Sequence, residues 1–241
     1  MTTLEIPVLL EHPRLIAVHK PAGVTVVPAR DEPAAASLRH RLEAARGEAL
    51  WVVHRIDRDT SGVLLFARDA AAHRALSQAF ERRTVRKRYL AWTRGAPAAS
   101  SGVIRTPLHP ARKGKMRPAR EGEPGALESE TRYELAYARE TRAGVVCRVR
   151  AEPRTGRQHQ VRVHLRSIAA PLLVDPLYGG CASLAAGALG AGSPEVPRLT
   201  LHASVVELDV FGEALHVAAP LPPDLAALEA WLVAQRAQDQ S

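Results

Sequence analysis

Nine consecutive residues, His54-Arg55-Ile56-Asp57-Arg58-Asp59-Thr60-Ser61-Gly62, hold two carboxylates, three side chains able to carry positive charge and two hydroxyls. They sit between the apolar pair Val52 and Val53 and the apolar run Val63 to Phe66, at a strand-turn-strand junction. That concentrates polar function at the junction. The same residues would also make an ordinary turn, because Asp and Ser side chains bond nearby backbone groups. Calcium is a third reading, since Asp57, Asp59, Ser61 and Gly62 match the first half of an EF-hand loop. That loop needs a bidentate Glu at its twelfth position, where this chain has Arg68.

A second segment runs Arg154-Thr155-Gly156-Arg157-Gln158-His159-Gln160-Val161-Arg162-Val163-His164-Leu165. A Thr-Gly turn leading into a helix offers backbone N–H groups and a positive dipole end, suited to a phosphate or a carboxylate. Gln158, Arg162 and Arg166 recur at intervals of four and would share a helix face. His159 and His164 would lie about 140° apart around a helix, a poor arrangement for joint metal ligation, and no HExxH pattern is present. No metal site is expected. A basic surface helix with satisfied histidines is the plainer alternative. A third cluster, Arg105, Arg112, Lys113, Lys115, Arg117 and Arg120, reads as a basic loop that either grips a polyanion or is simply a solvated face.

The elements that must position these residues can be read from periodicity. Arg14 to His19 reads as a buried strand ending in the turn Lys20-Pro21-Ala22-Gly23, where Lys20 caps the strand end. Helical spacing covers Ala34 to Arg46, Asp69 to Arg82 with Asp69 as N-cap, Arg157 to Ile168, and Pro223 to Arg236. Strands are expected at Val63 to Phe66, Arg86 to Arg94, Thr131 to Tyr137, Gly144 to Glu152 and Leu199 to Leu208, with a second loop from Cys181 to Pro197. Strands outnumber helices without regular alternation, which favours an α+β fold with a mostly antiparallel sheet over a doubly wound one.

The chain has 241 residues, 46% hydrophobic and 24% charged, which excludes a disordered or collagen-like chain. Its net charge of +8 is the footprint of a protein that meets polyanions, carried by four lysines and twenty-nine arginines. Guanidinium groups fork onto phosphate and stack on bases, although genomic nucleotide bias also raises arginine. Two cysteines, Cys147 and Cys181, form no disulfide framework, and a reduced cytoplasmic setting is expected. No apolar run is long enough to span a membrane, and no signal-peptide pattern opens the chain.

Taken together, the segments resemble the RluA family of RNA pseudouridine synthases. HRIDRDTSG resembles the family's HRLDxxTSG motif and RTGRQHQVRVHL its TGRxHQIRxHL motif. HKPAGVTVVP, RKRYLAWTRG, VDPLYGG and LTLHASVVEL resemble further family segments in the same order, so the likeness runs from about Leu9 to about Pro223. Departures are Ile56 for Leu, Val174 for the Gly before Asp175, and the loop Cys181 to Pro197. The resemblance implies a single catalytic domain over residues 1–241, of α+β pseudouridine-synthase fold with a central RNA-binding cleft. It also implies a stand-alone member without an S4 domain, acting as a monomer with no protein partner. The implied reaction isomerises uridine in rRNA or tRNA and needs no cofactor. By the same resemblance Asp57 is the catalytic carboxylate, Arg162 its paired cation, and Tyr89 the ring that packs on the target base. Arg55 would fill the stack that a flipped uridine vacates. His54, Arg157, Gln160 and the loop residues Arg112, Lys113, Lys115 and Arg117 are expected to contact RNA.

Overall fold

The computed structural model describes residues 6–29 and 33–238; residues 1–5, 30–32 and 239–241 of the expected single domain lie outside the described residues. In chain order the strands are β1 (Val8–Glu11), β2 (Leu15–Lys20), β3 (Trp51–Val52), β4 (Ser61–Ala67), β5 (Arg86–Arg94), β6 (Ser101–Ile104), β7 (Leu108–Pro110), β8 (Met116–Pro118), β9 (Thr131–Arg139), β10 (Val146–Pro153), β11 (Leu201–Val210) and β12 (Glu213–Ala218). The helices are α1 (Leu38–Arg46), α2 (Ala70–Glu81), α3 (Gln160–Ser167) and α4 (Pro223–Gln238). They form two compact units, Met1–Lys87 with Ala203–Pro220, and Arg88–His202 with Leu221–Ser241. The α+β fold class is as the sequence implies.

In the first unit β2 pairs antiparallel with β1 and β4, β11 lies beside β4, and β12 pairs antiparallel with β11. Every residue of β4 is buried, which explains its continuous apolar run in place of alternation. Asp69 caps α2 by accepting the Ala72 amide at 2.7 Å. The α2 residues Ala72, Leu76 and Ala79, three or four apart, then turn into a core with Leu15, Ala17, Val63, Leu65, Val206 and Leu208. Gly62 is required where β4 begins. Its φ is +126°, and a Cβ there would lie 2.1 Å from the Ala203 carbonyl oxygen, so any side chain would push the β11 backbone away.

The second unit is built on the antiparallel order β5-β10-β9-β6. Alternation along β5 sends Tyr89 and Ala91 to a core shared with Val161 and Leu165 of α3, and Leu90 and Trp92 to a core shared with Leu225, Leu228 and Leu232 of α4. On the α4 side Glu229 accepts from Trp92 Nε1 at 3.0 Å and from the Tyr137 hydroxyl at 2.5 Å, and also pairs with Arg148. The free thiol of Cys147 is buried on the α3 side.

Two elements differ from the sequence reading in ways that matter to the site. The basic stretch 105–120 is a small antiparallel hairpin, β7 pairing with β8, with Arg112 to Lys115 at its tip. Three prolines, Pro107, Pro110 and Pro118, disguise it as a loop, because proline is tolerated only where a strand needs no amide donor. Helix α3 starts at Gln160, three residues later than its pattern suggests, because His159 adopts the left-handed conformation at φ 54°. Gln158 therefore precedes the helix and does not share a face with Arg162.

Candidate functional site

The loop that carries Asp57 is held by backbone contacts. The fully buried Lys20 ammonium donates to the carbonyls of Pro21, Arg58 and Thr60 at 2.8, 2.7 and 2.9 Å, spending its three protons on the turn. Gly23 N donates to Arg58 O at 2.9 Å, Arg58 Nε returns a bond to Gly23 O at 3.1 Å, and Thr60 N donates to Asp57 O at 3.1 Å. Carbonyls on both sides of Asp59 are thus fixed by a charge from β2, as its position at a strand end suggests. Asp57 itself is half-buried and Arg55 is exposed.

His54, expected from the sequence to contact RNA, is half-buried in this unit. Its Nε2 accepts the Leu65 amide at 2.9 Å and its ring stacks on Phe80 at 4.6 Å. A nitrogen used this way offers nothing to phosphate. Burial, and secondarily the Lys87 ammonium, hold the imidazole neutral down to about 3. Burial in turn lowers Lys87 to about 8. The unfolded chain takes up a proton on His54 near the ordinary histidine value of about 6.5 while the folded one does not. Stability should therefore fall as pH is lowered from about 6.5 toward 3. Urea midpoints at pH 7 and pH 4.5 check this: the loss should be smaller in His54→Gln, which keeps an acceptor for the Leu65 amide, and an equal loss would count against it.

In the second unit, Arg162 is 5% exposed and Asp175 2%, and they form a two-pronged pair: Nε donates to Oδ2 at 2.9 Å and Nη2 to Oδ1 at 2.7 Å. Asp175 Oδ1 also accepts the amides of Leu177 and Tyr178 at 3.1 and 3.2 Å, so the Asp175-Pro176-Leu177-Tyr178 turn folds around the carboxylate. The guanidinium carbon lies 5.0 Å from the centre of the Tyr178 ring. Sequence reasoning had matched this turn to a family segment without giving Asp175 or Tyr178 a task. The available signal was a carboxylate inside the apolar run from Ala170 to Tyr178.

Gln160, expected from the sequence to contact RNA, is buried. Its Oε1 accepts from the Thr155 hydroxyl at 2.7 Å and the Arg157 amide at 3.0 Å, and its Nε2 donates to Glu130 O and the Thr131 hydroxyl at 2.9 and 3.0 Å. Its hydrogen-bonding capacity is thus spent on the turn and on β9. His164 completes that network: Nδ1 lies 2.8 Å from the Thr131 hydroxyl and Nε2 2.9 Å from Thr106 O, and burial lowers its pKa. Arg157 is half-buried and donates through Nε to Glu128 O at 3.1 Å. Tyr89 stands opposite Ala151 on β10 and is half-buried at the edge of the α3-side core.

The hairpin divides its basic residues. Arg117 is paired two-pronged with Glu123, just beyond the hairpin, which holds that carboxyl at about 2, so the Arg117 charge is largely cancelled locally. Arg112 and Lys113 are exposed at the tip and Lys115 is half-buried. An open groove on the other sheet face, with Arg132, Arg150, Glu134 and Glu152 among its lining, is self-neutralised by pairs such as Arg150 with Glu134 at 2.7 Å. Among the described residues no helix is long and apolar enough to cross a membrane, and no group of three or more His, Cys, Asp or Glu side chains could hold a metal ion.

Comparison with known proteins gives one consistent result. Residues 14–167 match the model of a family described as RNA pseudouridylate synthase. The chain is 34% identical over 229 residues to ribosomal large subunit pseudouridine synthase D of Xanthomonas campestris, covering 90% of this chain and 66% of that relative. It is 33% identical over 219 residues to dual-specificity RNA pseudouridine synthase RluA of Escherichia coli K12, covering 88% of this chain and 92% of the relative. Among solved structures, human RNA pseudouridylate synthase domain containing 1 superposes with a TM-score of 0.75 at 24% identity, covering 98% of this chain and 97% of that one.

Proposed function

The chain belongs to the RluA family of RNA pseudouridine synthases, and from that premise we propose that it isomerises uridine to pseudouridine in rRNA or tRNA. The observation that carries the reading is the pair of motifs around Asp57 and Arg162, each held in a fixed local frame by its own unit. In the reaction the N1–C1′ bond of the nucleoside breaks and a C5–C1′ bond forms. The C5 proton leaves and N1 gains one. Composition does not change, so the step needs no redox partner or group donor.

Asp57 acts on the target nucleoside as its carboxylate. Arg162 is taken as its paired cation, while its Nε and Nη2 also serve Asp175. Tyr89 offers an aromatic plane that confines the uracil while it turns, without fixing it by hydrogen bonds. The uridine must leave its stack to be reached, and the exposed guanidinium of Arg55 fills the gap. On this reading the two units work as one catalytic domain, monomeric, in the reducing cytoplasm that suits two free thiols.

The test is tritium release by the purified chain from large-subunit ribosomal RNA and a tRNA pool, each transcribed with [5-³H]uridine triphosphate. Release from one pool, with pseudouridine mapped at a defined site, is expected; no release from either would overturn the reading. Arg112, Lys113 and Lys115 are proposed to meet phosphate. RNA affinity should then fall steeply with salt, and Lys113→Ala/Lys115→Ala should flatten the log–log slope by roughly 1.4 to 1.8. Filter binding across a salt series measures this, and an unchanged slope would remove the hairpin from the interface.

A further inference from the structure

We propose that Tyr178 is a positioning residue that couples the basic hairpin β7–β8 to Arg162. This rests on the reading above, in which the hairpin meets RNA and Arg162 serves the reaction. Tyr178 is 5% exposed and touches three things at once. Its hydroxyl accepts the Met116 amide of β8 at 2.7 Å. The same oxygen is hydrogen-bonded to Nδ1 of His159 at 2.7 Å, and the His159 ring meets the tyrosine edge-on at 5.5 Å. Its ring carries the Arg162 guanidinium at 5.0 Å.

A tyrosine that only filled space would be replaceable by phenylalanine. Here the hydroxyl is used twice, and each bond goes to a different element. His159 is the residue that starts α3, and its left-handed backbone at φ 54° is a conformation a non-glycine side chain holds only when its surroundings enforce it. The Tyr178 hydroxyl supplies one such restraint. Around these bonds Leu108 and Met116 of the hairpin, Val163 of α3 and Tyr178 share a small apolar cluster. Gln158 Nε2 adds a second tether, donating to Gly114 O at the hairpin tip at 3.2 Å. The hairpin is therefore fastened to the start of the helix that carries Arg162, and Tyr178 is the side chain common to both. RNA phosphates loading the tip would press on β8, and the Met116 amide would transmit that load to the ring beneath the guanidinium. The orientation of Arg162, and with it the chemical rate, then depends on whether the hairpin is seated.

The measurement is a double-mutant cycle on the single-turnover rate of tritium release at saturating RNA, using the same two labelled RNA pools. Tyr178→Phe keeps the ring under Arg162 and cuts only the hydroxyl bonds. In the wild-type background Lys113→Ala/Lys115→Ala should weaken binding and also slow the saturated rate by roughly fivefold or more. In the Tyr178→Phe background the same pair should still weaken binding but leave the already reduced rate within about twofold. Multiplicative rate effects in the cycle would overturn the coupling. If the lysine pair leaves affinity intact, the hairpin reading itself falls and the coupling with it. If affinity falls but the rates multiply, only the coupling falls. Gln158→Ala alters an exposed side chain and spares the core, so it repeats the cycle in a variant whose folding is not at risk. Non-multiplicative behaviour is expected there too, and multiplicative behaviour in either cycle overturns the proposal.

Discussion

Asp57→Asn is expected to fold as the unaltered protein does, to bind RNA with unchanged affinity, and to release tritium at least about 10⁴-fold more slowly. The folding half follows from how the loop is built. The contacts that hold its backbone run through the carbonyls of Asp57, Arg58 and Thr60, through Lys20 and through Gly23. None of those bonds uses the Asp57 carboxylate, so replacing it with an amide of the same size leaves them in place. The catalytic half follows from charge: an amide can neither add to the nucleoside nor remove a proton from it. Thermal midpoint, RNA affinity and tritium release on one preparation test both halves. Asp59→Asn is the control and should retain activity within about tenfold, because the family motif leaves that position variable. Tritium release by Asp57→Asn at a normal rate would remove Asp57 from the reaction.

Which parts of this molecule were legible in its sequence follows from the range of the forces involved. Strand β5 and helix α2 are specified by local pattern: Asp69 announces the start of α2, and Ala72, Leu76 and Ala79 its buried face. The strands β1, β3, β6 and β12 are short or half-exposed, and only their neighbours in the sheet define them. The hairpin was hidden by its prolines. The resemblance to family motifs pointed to Asp57, Arg162 and Tyr89, but no local rule distinguishes a polar side chain facing RNA from one whose bonds are used within the fold. His54 and Gln160 read as ligands in sequence, and the Leu65 amide and the Thr155 hydroxyl that occupy them lie eleven and five residues away. Lys20 was legible as a strand cap because its partners lie at a turn that Pro21 and Gly23 announce. Asp175 was not, since thirteen residues and a change of element separate it from Arg162.

Removing one charge from the Arg162–Asp175 pair is expected to cost about 3–5 kcal/mol of stability, because either change breaks a buried two-pronged ion pair. Asp175→Asn takes the two-pronged Asp175 partner from the guanidinium, and Arg162→Met takes the guanidinium from the Asp175 carboxylate. The double variant removes both charges, while the amide oxygen that replaces Asp175 Oδ1 still accepts from Leu177 and Tyr178, so it should recover most of the loss. Stability alone does not separate a structural cation from one that also serves Asp57, but the direction of the pH–rate profile does. With Arg162→Met, the proposed counter-charge of Asp57 is gone, and the acidic limb should move upward by about 1 pH unit or more. With Asp175→Asn, the guanidinium keeps its charge and no longer shares it, so the limb should move downward. Opposite displacements require one cation serving two carboxylates. An acidic limb that stays put in both variants, alongside the stability losses, would confine Arg162 to holding the second unit together and end its assignment to Asp57.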